Sequence, residues 1–381
     1  MQRPQHVDIL YLDFSKAFDK VPHKKLLQKL KKLGVQGKIL SWIESWLKDR
    51  RQKVIVNGVK SSWKNVNSGV PQGSVLGPLL FVIYINDLDE ATAGMKSTMK
   101  FADDTKVAHS IISDSDRAEF QTCIDQLLTW SKDWGMEFNK AKCKIMHLGR
   151  NNPDHTYTMD GHELESISEE RDIGVVIQKN LKPTRQCIQA SNKAKAVLGQ
   201  LTRSFHYRDR HVFVRLYCTY VRPHLEFCTP VWSPSQQQDI KLLESVQLKA
   251  VNMISGLNGS TYAEKLKEIS LMSLEMRRRR NDMIQVFKIL NGFDNVNPDT
   301  WFRRAIDVSQ RPTRQSMDPT ALLKPKVKTD IRSNFFSVRV VNEWNRLPLE
   351  LKMVPSLSLF KTNLDSHLIS TESEQYMANY S

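Results

Sequence analysis

The sequence is poor in cysteine and contains no cysteine motif. Its five cysteines are scattered along 381 residues, are odd in number and form no C-x-x-C pair. Secreted domains that depend on disulfides carry even numbers of cysteines, and zinc sites need closely spaced ligands. The pattern therefore argues against a disulfide scaffold and favours a reducing compartment.

Long apolar segments are absent too. No run approaches the ~20 apolar residues that a membrane-spanning helix needs. The opening residues, MQRPQHV, lack the apolar stretch of a signal peptide. We expect a chain that neither enters a membrane nor is secreted.

Acidic residues are in deficit, because 41 Asp and Glu face 56 Lys and Arg, which leaves a net charge of +15. A basic surface suits a polyanion, most commonly nucleic acid, although solubility alone accounts for it equally well. The hydrophobic share of 40% and the charged share of 25% are those of a folded protein. The length allows two or three domains.

The first part of the chain mixes strand and helix patterns, whereas long amphipathic segments dominate from about residue 183. The strands predicted there are Val7–Phe14, two that flank Asp103–Asp104, and the segments 143–148 and 173–177, with a hairpin about Asn57–Gly58. The helices predicted are one after Pro22, Lys38–Lys48 with Ile39 and Ile43 inward, Leu79–Leu88, Asp114–Trp134, and the segments 184–205, 209–221, 236–256 and 273–291. The predicted fold class is α+β, followed by an all-helical part.

Three aspartates are the candidates for chemistry. Asp103–Asp104 alone is typical of an exposed polar turn, but Asp13 ends an apolar strand, where a charge is costly without a partner. Magnesium prefers carboxylate oxygens and shares its coordination with water and phosphates, so it would explain all three residues. One Asp on a strand beside two on a neighbouring hairpin is the minimum for a two-metal site that transfers phosphoryl groups.

Two further features lie near these carboxylates in the sequence. Phe18 follows Asp13 closely, and its ring either excludes a 2′-hydroxyl from a bound sugar or packs into the core. In the loop Pro71–Gln72–Gly73, the glycine lets the backbone approach a nucleotide or a template base, although many ordinary turns look the same.

Five segments follow one another in a characteristic order. They are LDFSKAFDKVPH (Leu12–His23), GVPQGSVLGPLLF (Gly69–Phe81), FADDT (Phe101–Thr105), WGMEFNKAKCKIM (Trp134–Met146) and ERDIGVVIQ (Glu170–Gln178). In this order they resemble the motifs of the reverse transcriptase family. The A-F-D ending of the first motif and the run SVLGPLLF are typical of the non-LTR (LINE-type) retrotransposon branch, and the helical half resembles the thumb of that branch.

The resemblance implies a polymerase palm, an antiparallel sheet with packed helices, over residues 1–180. A helical thumb and connection would follow over 181–292, and a C-terminal region over 293–381. The fingers would be largely missing, because fewer than ten residues precede the first strand. We therefore expect an N-terminally truncated chain that is weakly active or inactive on its own.

The resemblance also implies roles for individual residues. Asp13, Asp103 and Asp104 would hold two Mg²⁺ ions, and Lys142 would be the general acid for the leaving pyrophosphate, with Lys140 and Lys144 as rivals. The residues implied to contact the substrate are Phe14 through its backbone carbonyl, Phe18 as a steric gate against ribonucleotides, and Gln72 and Gly73. Gln178 departs from the acidic residue expected after the primer-grip strand.

The function implied is RNA-directed DNA polymerase activity as part of retrotransposition. Its partners would be an RNA template, a DNA primer or target DNA, and dNTPs, in the nucleus or the cytoplasm. A catalytically weak or inactive nucleic-acid-binding remnant of such an enzyme is the main alternative. A two-metal nuclease is a weaker one, since a nuclease needs neither the steric gate nor the Pro71–Gly73 loop.

Four successive arginines form a basic run on a predicted helix: Arg277, Arg278, Arg279 and Arg280. Four consecutive residues cover every face of a helical turn, so at least one must turn inward or meet a phosphate. The family resemblance implies a nucleic-acid contact, while a solvated face with glutamate partners is the alternative.

Overall fold

The computed structural model describes residues 6–257, 259, 261–308 and 318–380, with residues 308 and 371–380 described by their backbone alone. The chain divides into two compact units, residues 1–173 and 174–381. The mixed first unit and the helical second unit confirm the predicted α+β class. Across the described residues, no helix combines the length and apolarity needed to cross a bilayer.

The first unit is built on a five-stranded sheet with the order β11-β8-β1-β7-β6, in which only β11 runs parallel to its neighbour. The strands of the unit are β1 (His6–Leu12), β2 (Arg51–Gln52), β3 (Ile55–Val56), β4 (Val59–Lys60), β5 (Lys64–Asn65), β6 (Ser97–Phe101), β7 (Asp104–Ile111), β8 (Lys144–Leu148), β9 (Thr158–Met159), β10 (His162–Glu163), β11 (Glu165–Ser166) and β12 (Glu169–Asp172). The apolar β1 takes the centre, where both of its edges are paired.

Helices cover one face of this sheet and supply most of the core. They are α1 (Ala17–Lys20), α2 (His23–Lys32), α3 (Gly37–Leu47), α4 (Leu76–Tyr84), a 3₁₀ helix (Asn86–Thr92) and α5 (Asp114–Trp134). Leu10 and Leu12 of β1 point toward them and join one cluster with Ile124 and Leu127 of α5. Because strand side chains alternate, Tyr11 and Asp13 face the other way.

Several local predictions are confirmed. Helix α5 runs over the predicted residues, from a capping box at Ser113 to Gly135 in the left-handed conformation (φ 70°). The hairpin of β3 and β4 turns at Asn57 and Gly58, which both have positive φ, as this turn requires. Strands β6 and β7 flank the predicted acidic turn.

Two local predictions are wrong. Ile39 was expected to point inward, yet it is 65% exposed, and Leu40 is buried in its place. The helix predicted over Leu79–Leu88 is α4, which begins three residues earlier, at Leu76, and ends four residues earlier, at Tyr84. The Ser74 hydroxyl accepts from the Gly77 amide at 2.9 Å, which satisfies an early amide and allows the earlier start.

The second unit is almost entirely helical. It contains β13 (Val175–Gln178), α6 (Thr184–Ser204), α7 (Arg210–Leu216), a π-helical turn (Tyr217–Val221), α8 (Arg222–Glu226), α9 (Thr229–Trp232), α10 (Gln237–Val251), α11 (Tyr262–Glu268), α12 (Leu274–Leu290), α13 (Pro298–Trp301), α14 (Ala305–Val308), α15 (Asp330–Ser333), α16 (Phe336–Arg339), α17 (Val341–Arg346), α18 (Leu349–Lys352) and α19 (Leu357–Tyr380). The four long amphipathic segments are thus confirmed as helical.

Two hydrophobic clusters stabilise the second unit. One extends from Val175 to Leu274 and centres on α6 and α10. The other joins α12 to residues as far as Leu368. Helix α12 therefore shares its core with the segment that follows it, although the predicted domain boundary lies at 292/293. Residues 309–317 and 381 of the predicted C-terminal region lie outside the described residues.

Candidate active site

The candidate site begins where β1 and β7 meet at the rim of the sheet. Leu12 is the register partner of Thr105, so one step further along the antiparallel pair Asp13 falls opposite Asp104. Directly opposed residues have Cβ atoms about 4.5–5.5 Å apart and point to the same face. The first and third predicted motifs therefore meet through strand pairing.

These residues border a cleft of about 460 Å³ on the sheet face away from the helices. Tyr11 of β1, Asp13 directly after β1, and Asp104 and Lys106 of β7 line it, as the alternation of side chains requires. The other lining residues are Leu12, Met99, Lys100, Phe101, Thr105, Lys142, Lys144, Glu170, Arg171, Asp172 and Ile173. The cleft is thus lined by both carboxylate and basic side chains.

The electrostatics of the cleft centre on Asp104. Partial burial raises the pKa of Asp104 above its usual value, and the negative charges of Asp103, Asp172, Asp13 and Glu170 raise it further. Carboxylates that repel one another in this way are stabilised by a cation placed among them. The donor set is made of hard oxygens, so it fits a hard divalent cation such as Mg²⁺.

The three predicted metal ligands are neighbours, but they do not form a closed cage. Within the described ranges, the one group of three ligand-type side chains whose donor atoms all lie within 4.8 Å of one another is His109, Asp116 and Glu119. Asp103 lies in the turn between β6 and β7, next to Ala102 with its positive φ of 53°. The metal-ligand roles of Asp13, Asp103 and Asp104 stay predictions.

Among the three candidate lysines, the geometry favours Lys142. Its Nζ lies 3.6 Å from Asp13 Oδ2, and its side chain is 66% exposed to the cleft and solvent. Lys140 is paired with Asp160, and Lys144 lies 3.3 Å from Glu170. Lys142 is therefore the lysine that lies beside Asp13, and its role as the general acid stays a prediction.

The two phenylalanines of the first motif have core contacts. Phe14 is buried and stacks on Phe138 with ring centroids 4.7 Å apart. Phe18 is partly buried and stacks on Phe81, with centroids 4.5 Å apart. The Phe81 contact shows the packing role of Phe18 and leaves the role of a steric gate as a prediction.

The loop that carries Gln72 and Gly73 is hydrogen-bonded to the first motif, Leu12–His23. The Gly69 amide donates to the Val21 carbonyl and the Val70 amide to the Phe18 carbonyl, both at 2.8 Å. The Gln72 side chain donates to Asp19 Oδ1 at 3.1 Å. The structure therefore brings the predicted loop to the Phe18 segment.

Gly69 is the glycine on which this attachment depends. Its φ is +89°, and a Cβ there would lie 2.7 Å from the Asp19 carbonyl oxygen and 2.8 Å from that of Phe18. No other residue type fits both the backbone angle and the space. Gly73 also has positive φ, but a Cβ there would meet open space, so its substitution is limited by conformation alone.

The arginine run is held inside the second unit. Arg277 and Arg280 make two-pronged ion pairs with Glu226 and Asp365. Arg279 donates to Glu343 at 2.8 Å. Arg278 is 3% exposed and is the inward-turned residue that helical geometry requires. This arrangement favours the alternative of carboxylate partners, and the nucleic-acid contact stays a prediction.

Sequence reasoning missed part of the cleft. Lys106 of β7 pairs with Asp172 of β12, and Lys144 of β8 pairs with Glu170 of β12. These two ion pairs connect β12 to the strands on which the cleft is built. Lys106 is two residues beyond Asp104, and strand periodicity alone would have placed it on the same face. Glu170 and Asp172 had no such signal, because their position depends on tertiary folding.

Comparison with known proteins agrees with the geometry. Residues 1–197 match the family model described as "Reverse transcriptase (RNA-dependent DNA polymerase)". The chain is 26% identical over 271 residues to the RNA-directed DNA polymerase from mobile element jockey of Drosophila funebris, covering 67% of this chain and 29% of that protein. The jockey protein of Drosophila melanogaster is 24% identical over 269 residues, with the same coverage of 67% and 29%.

The chain thus spans less than a third of the length of these relatives. Among solved structures, it is similar to telomerase from Candida albicans in complex with a fragment of telomeric RNA, with a TM-score of 0.38 and 10% identity. That match covers 70% of this chain and 50% of the telomerase chain.

Proposed function

From the premise that the chain belongs to the reverse transcriptase (RNA-dependent DNA polymerase) family, we propose that it adds dNTPs to a primer 3′-end on an RNA template. The observation that carries this proposal is the meeting of Asp13 and Asp104 at one rim of a cleft, with Lys142 3.6 Å from Asp13. The relatives' names place the activity in mobile elements, so we propose retrotransposition as its setting.

Each candidate site residue has a separate role in the proposed reaction. Asp13, Asp103 and Asp104 supply the negative charge that holds two Mg²⁺ ions, which when bound would lower the pKa of the primer hydroxyl and neutralise the phosphates. Lys142 holds a proton at its Nζ beside Asp13, where a leaving pyrophosphate could take it. In this proposal, Phe18 lies beside the sugar of the incoming nucleotide, and the Gln72–Gly73 loop contacts that nucleotide and the template base with which it pairs.

The proposed partners are an RNA template, a DNA primer or target DNA, and dNTPs. The net charge of +15 supports binding to these polyanions. Because retrotransposition ends on chromosomal DNA, we propose action in the nucleus, after synthesis in the cytoplasm.

Primer extension tests the proposal directly. The purified chain is mixed with an RNA template, an annealed DNA primer, dNTPs and Mg²⁺, and the product is measured per enzyme and time. We expect extension that falls at least about 100-fold in Asp104→Asn, because a carboxylate at the developing charge is lost. Lys142→Gln should lower the rate constant about 100-fold, the low end of general acid catalysis.

Matched controls separate chemistry from folding. Asp125→Asn removes an exposed carboxylate of α5, and Lys140→Gln removes the rival lysine that pairs with Asp160. Both should extend primers as the unchanged chain does. If the unchanged chain binds the hybrid but never extends it, the binding-only alternative holds. If Asp104→Asn extends normally, the site is misassigned.

A further inference from the structure

A second group of ligand-type side chains lies on the opposite face of the same sheet. His109 is on β7, five residues after Asp104, and Asp116 and Glu119 are on the first turns of α5. One donor atom from each of the three lies within 4.8 Å of the other two. The predicted catalytic residues are not part of this group.

Local structure explains why the three side chains converge. Odd-numbered positions of β7, such as Val107 and Ile111, face the helices and are buried, and His109 shares their face. Asp116 and Glu119 are three residues apart on α5, so they project from one side of the helix. The segment Ile112–Ser113 between β7 and α5 folds the helix back toward the strand.

The state of His109 points to a missing ligand. The residue is 9% exposed, and its ring stacks on Phe120 with centroids 6.1 Å apart. Among the residues that the structure describes, neither ring nitrogen has a hydrogen-bond partner. Nε2 faces Glu119 Oε2 at 3.9 Å, too far for a hydrogen bond. A buried imidazole needs a partner for at least one nitrogen.

The carboxylates are available to such a ligand. Asp116 accepts from the amides of Ile112 and Ser113 and from the Ser113 hydroxyl through Oδ2 alone, so these three bonds leave Oδ1 open. The Glu119 side chain is 58% exposed, which gives an ion a route from solvent. A metal placed between them would accept one nitrogen and two oxygen donors and keep positions for water.

The donor set selects the class of ion. Magnesium prefers all-oxygen coordination and keeps most of its water, so it is poorly matched to an imidazole. Zinc accepts imidazole nitrogen and carboxylate oxygen and often takes three protein ligands with water in the fourth position. Among first-row divalent ions, affinity for nitrogen and oxygen sites rises from manganese to copper and falls again at zinc, so copper would compete with zinc for these donors.

We propose that His109 Nε2, Asp116 and Glu119 bind one first-row divalent metal ion of the zinc type, separate from the catalytic cations. The ion links the end of β7 to the start of α5. Since β7 also carries Asp104 at its other end, the link stabilises the strand that presents the catalytic carboxylate.

Calorimetric titration tests the site on the full chain. The protein is stripped with EDTA, transferred to buffer with excess Mg²⁺ to occupy hard oxygen sites, and titrated with ZnCl₂. We expect one zinc per chain, and an affinity at least about tenfold weaker in Glu119→Gln. Cobalt in place of zinc should give ligand-field bands that are lost in His109→Gln.

Control variants show which site is occupied. Asp114→Asn changes another carboxylate on the first turn of α5, and Asp104→Asn changes the catalytic cleft, so both should keep the zinc affinity. Since Glu119 is exposed, Glu119→Gln tests the site even if His109→Gln fails to fold. The proposal is overturned if zinc does not bind up to millimolar concentration, or if binding is lost in Asp104→Asn and unchanged in Glu119→Gln.

Discussion

At the scale of single residues, the cleft brings together carboxylates whose mutual repulsion disfavours the folded state. The charges of four other carboxylates raise the pKa of Asp104, and partial burial raises it more than any of them. Such like-charge contact is unfavourable in the folded state and persists at functional sites because it serves binding. The same group of carboxylates therefore makes Asp104 unfavourable in the metal-free fold and makes the cleft a candidate metal site.

Asp104→Asn should stabilise the fold when metal is chelated. The amide keeps the shape of the side chain and removes the repulsion, a gain on the order of a few tenths of a kcal/mol because the residue is exposed and solvent screens it. Adding Mg²⁺ should reverse the order, since only the original site binds the cation well. Thermal unfolding with EDTA and with Mg²⁺ measures both.

The control for this comparison is Asp125→Asn, which should change the melting temperature by the same small amount with and without Mg²⁺. A lower melting temperature for Asp104→Asn in EDTA would contradict the repulsion. It would show that the carboxylate makes a net favourable contribution to the fold.

At the scale of secondary-structure elements, a buried carboxylate joins the central strand to its neighbours. Asp8 of β1 is fully buried, and its oxygens lie 2.9 Å from His147 Nδ1, 2.9 Å from Asn152 Nδ2 and 2.7 Å from the Tyr157 hydroxyl. Burial alone would raise the pKa of Asp8. The hydrogen bonds with His147, Tyr157 and Asn152 outweigh it and lower the pKa.

Asp8→Ala should destabilise the protein by about 3 kcal/mol, because it leaves buried polar groups on β8 and beyond without their partner. A carboxyl with a lowered pKa contributes stability above its ordinary value of 3.8, and this contribution is lost as the pH falls through the lowered value. Urea unfolding at pH 7 and at acidic pH should therefore show a large difference at neutrality and a smaller one in acid.

Asp133→Ala removes an exposed carboxylate of α5 and should change the free energy of unfolding by less than about 0.5 kcal/mol. A difference between Asp8→Ala and the original chain that stays constant with pH would show that the network acts by packing alone.

Elements with local signals could be predicted, and their pairings could not. The bounds of α5 follow from Ser113 and Gly135, and the hairpin of β3 and β4 follows from Asn57–Gly58, because capping and turn chemistry act within a few residues. Ile39 was misplaced because Leu40 offers an equally apolar face. Only the packing of α3 decides between two adjacent apolar residues.

The candidate site shows the same limit. Asp13 and Asp104 could be named from the sequence because each ends a strand signal, and the family motif orders them. The roles of Glu170, Asp172 and the partners of Asp8 could not be named, since they depend on tertiary contacts between residues 26 to 149 positions apart. The His109 group is local in sequence, but a lone histidine on an apolar strand carries no ligand signal.

At the scale of the whole molecule, the net charge of +15 does not by itself locate the surface proposed to bind nucleic acid. Three arginines of the basic run on α12, Arg277, Arg279 and Arg280, are paired with carboxylates of the second unit. The helix also contributes to the cluster that includes Phe287 and Phe360. We expect arginines paired in this way to contribute to folding and to release no counterions on nucleic-acid binding.

Arg280→Gln should therefore lower stability and leave nucleic-acid binding unchanged. The lost pair with Asp365, whose Nη2–Oδ2 distance is 2.9 Å, should cost about 2 kcal/mol, the usual worth of a charged hydrogen bond. A double-mutant cycle with Asp365→Asn isolates that coupling. For Arg280→Gln, binding to an RNA–DNA hybrid at several salt concentrations should give the same slope as for the original chain. The matched control is Lys241→Gln, which removes an exposed lysine of α10. A slope reduced by about one unit in Arg280→Gln alone would restore the predicted contact, since each phosphate contact contributes about 0.9 to the slope.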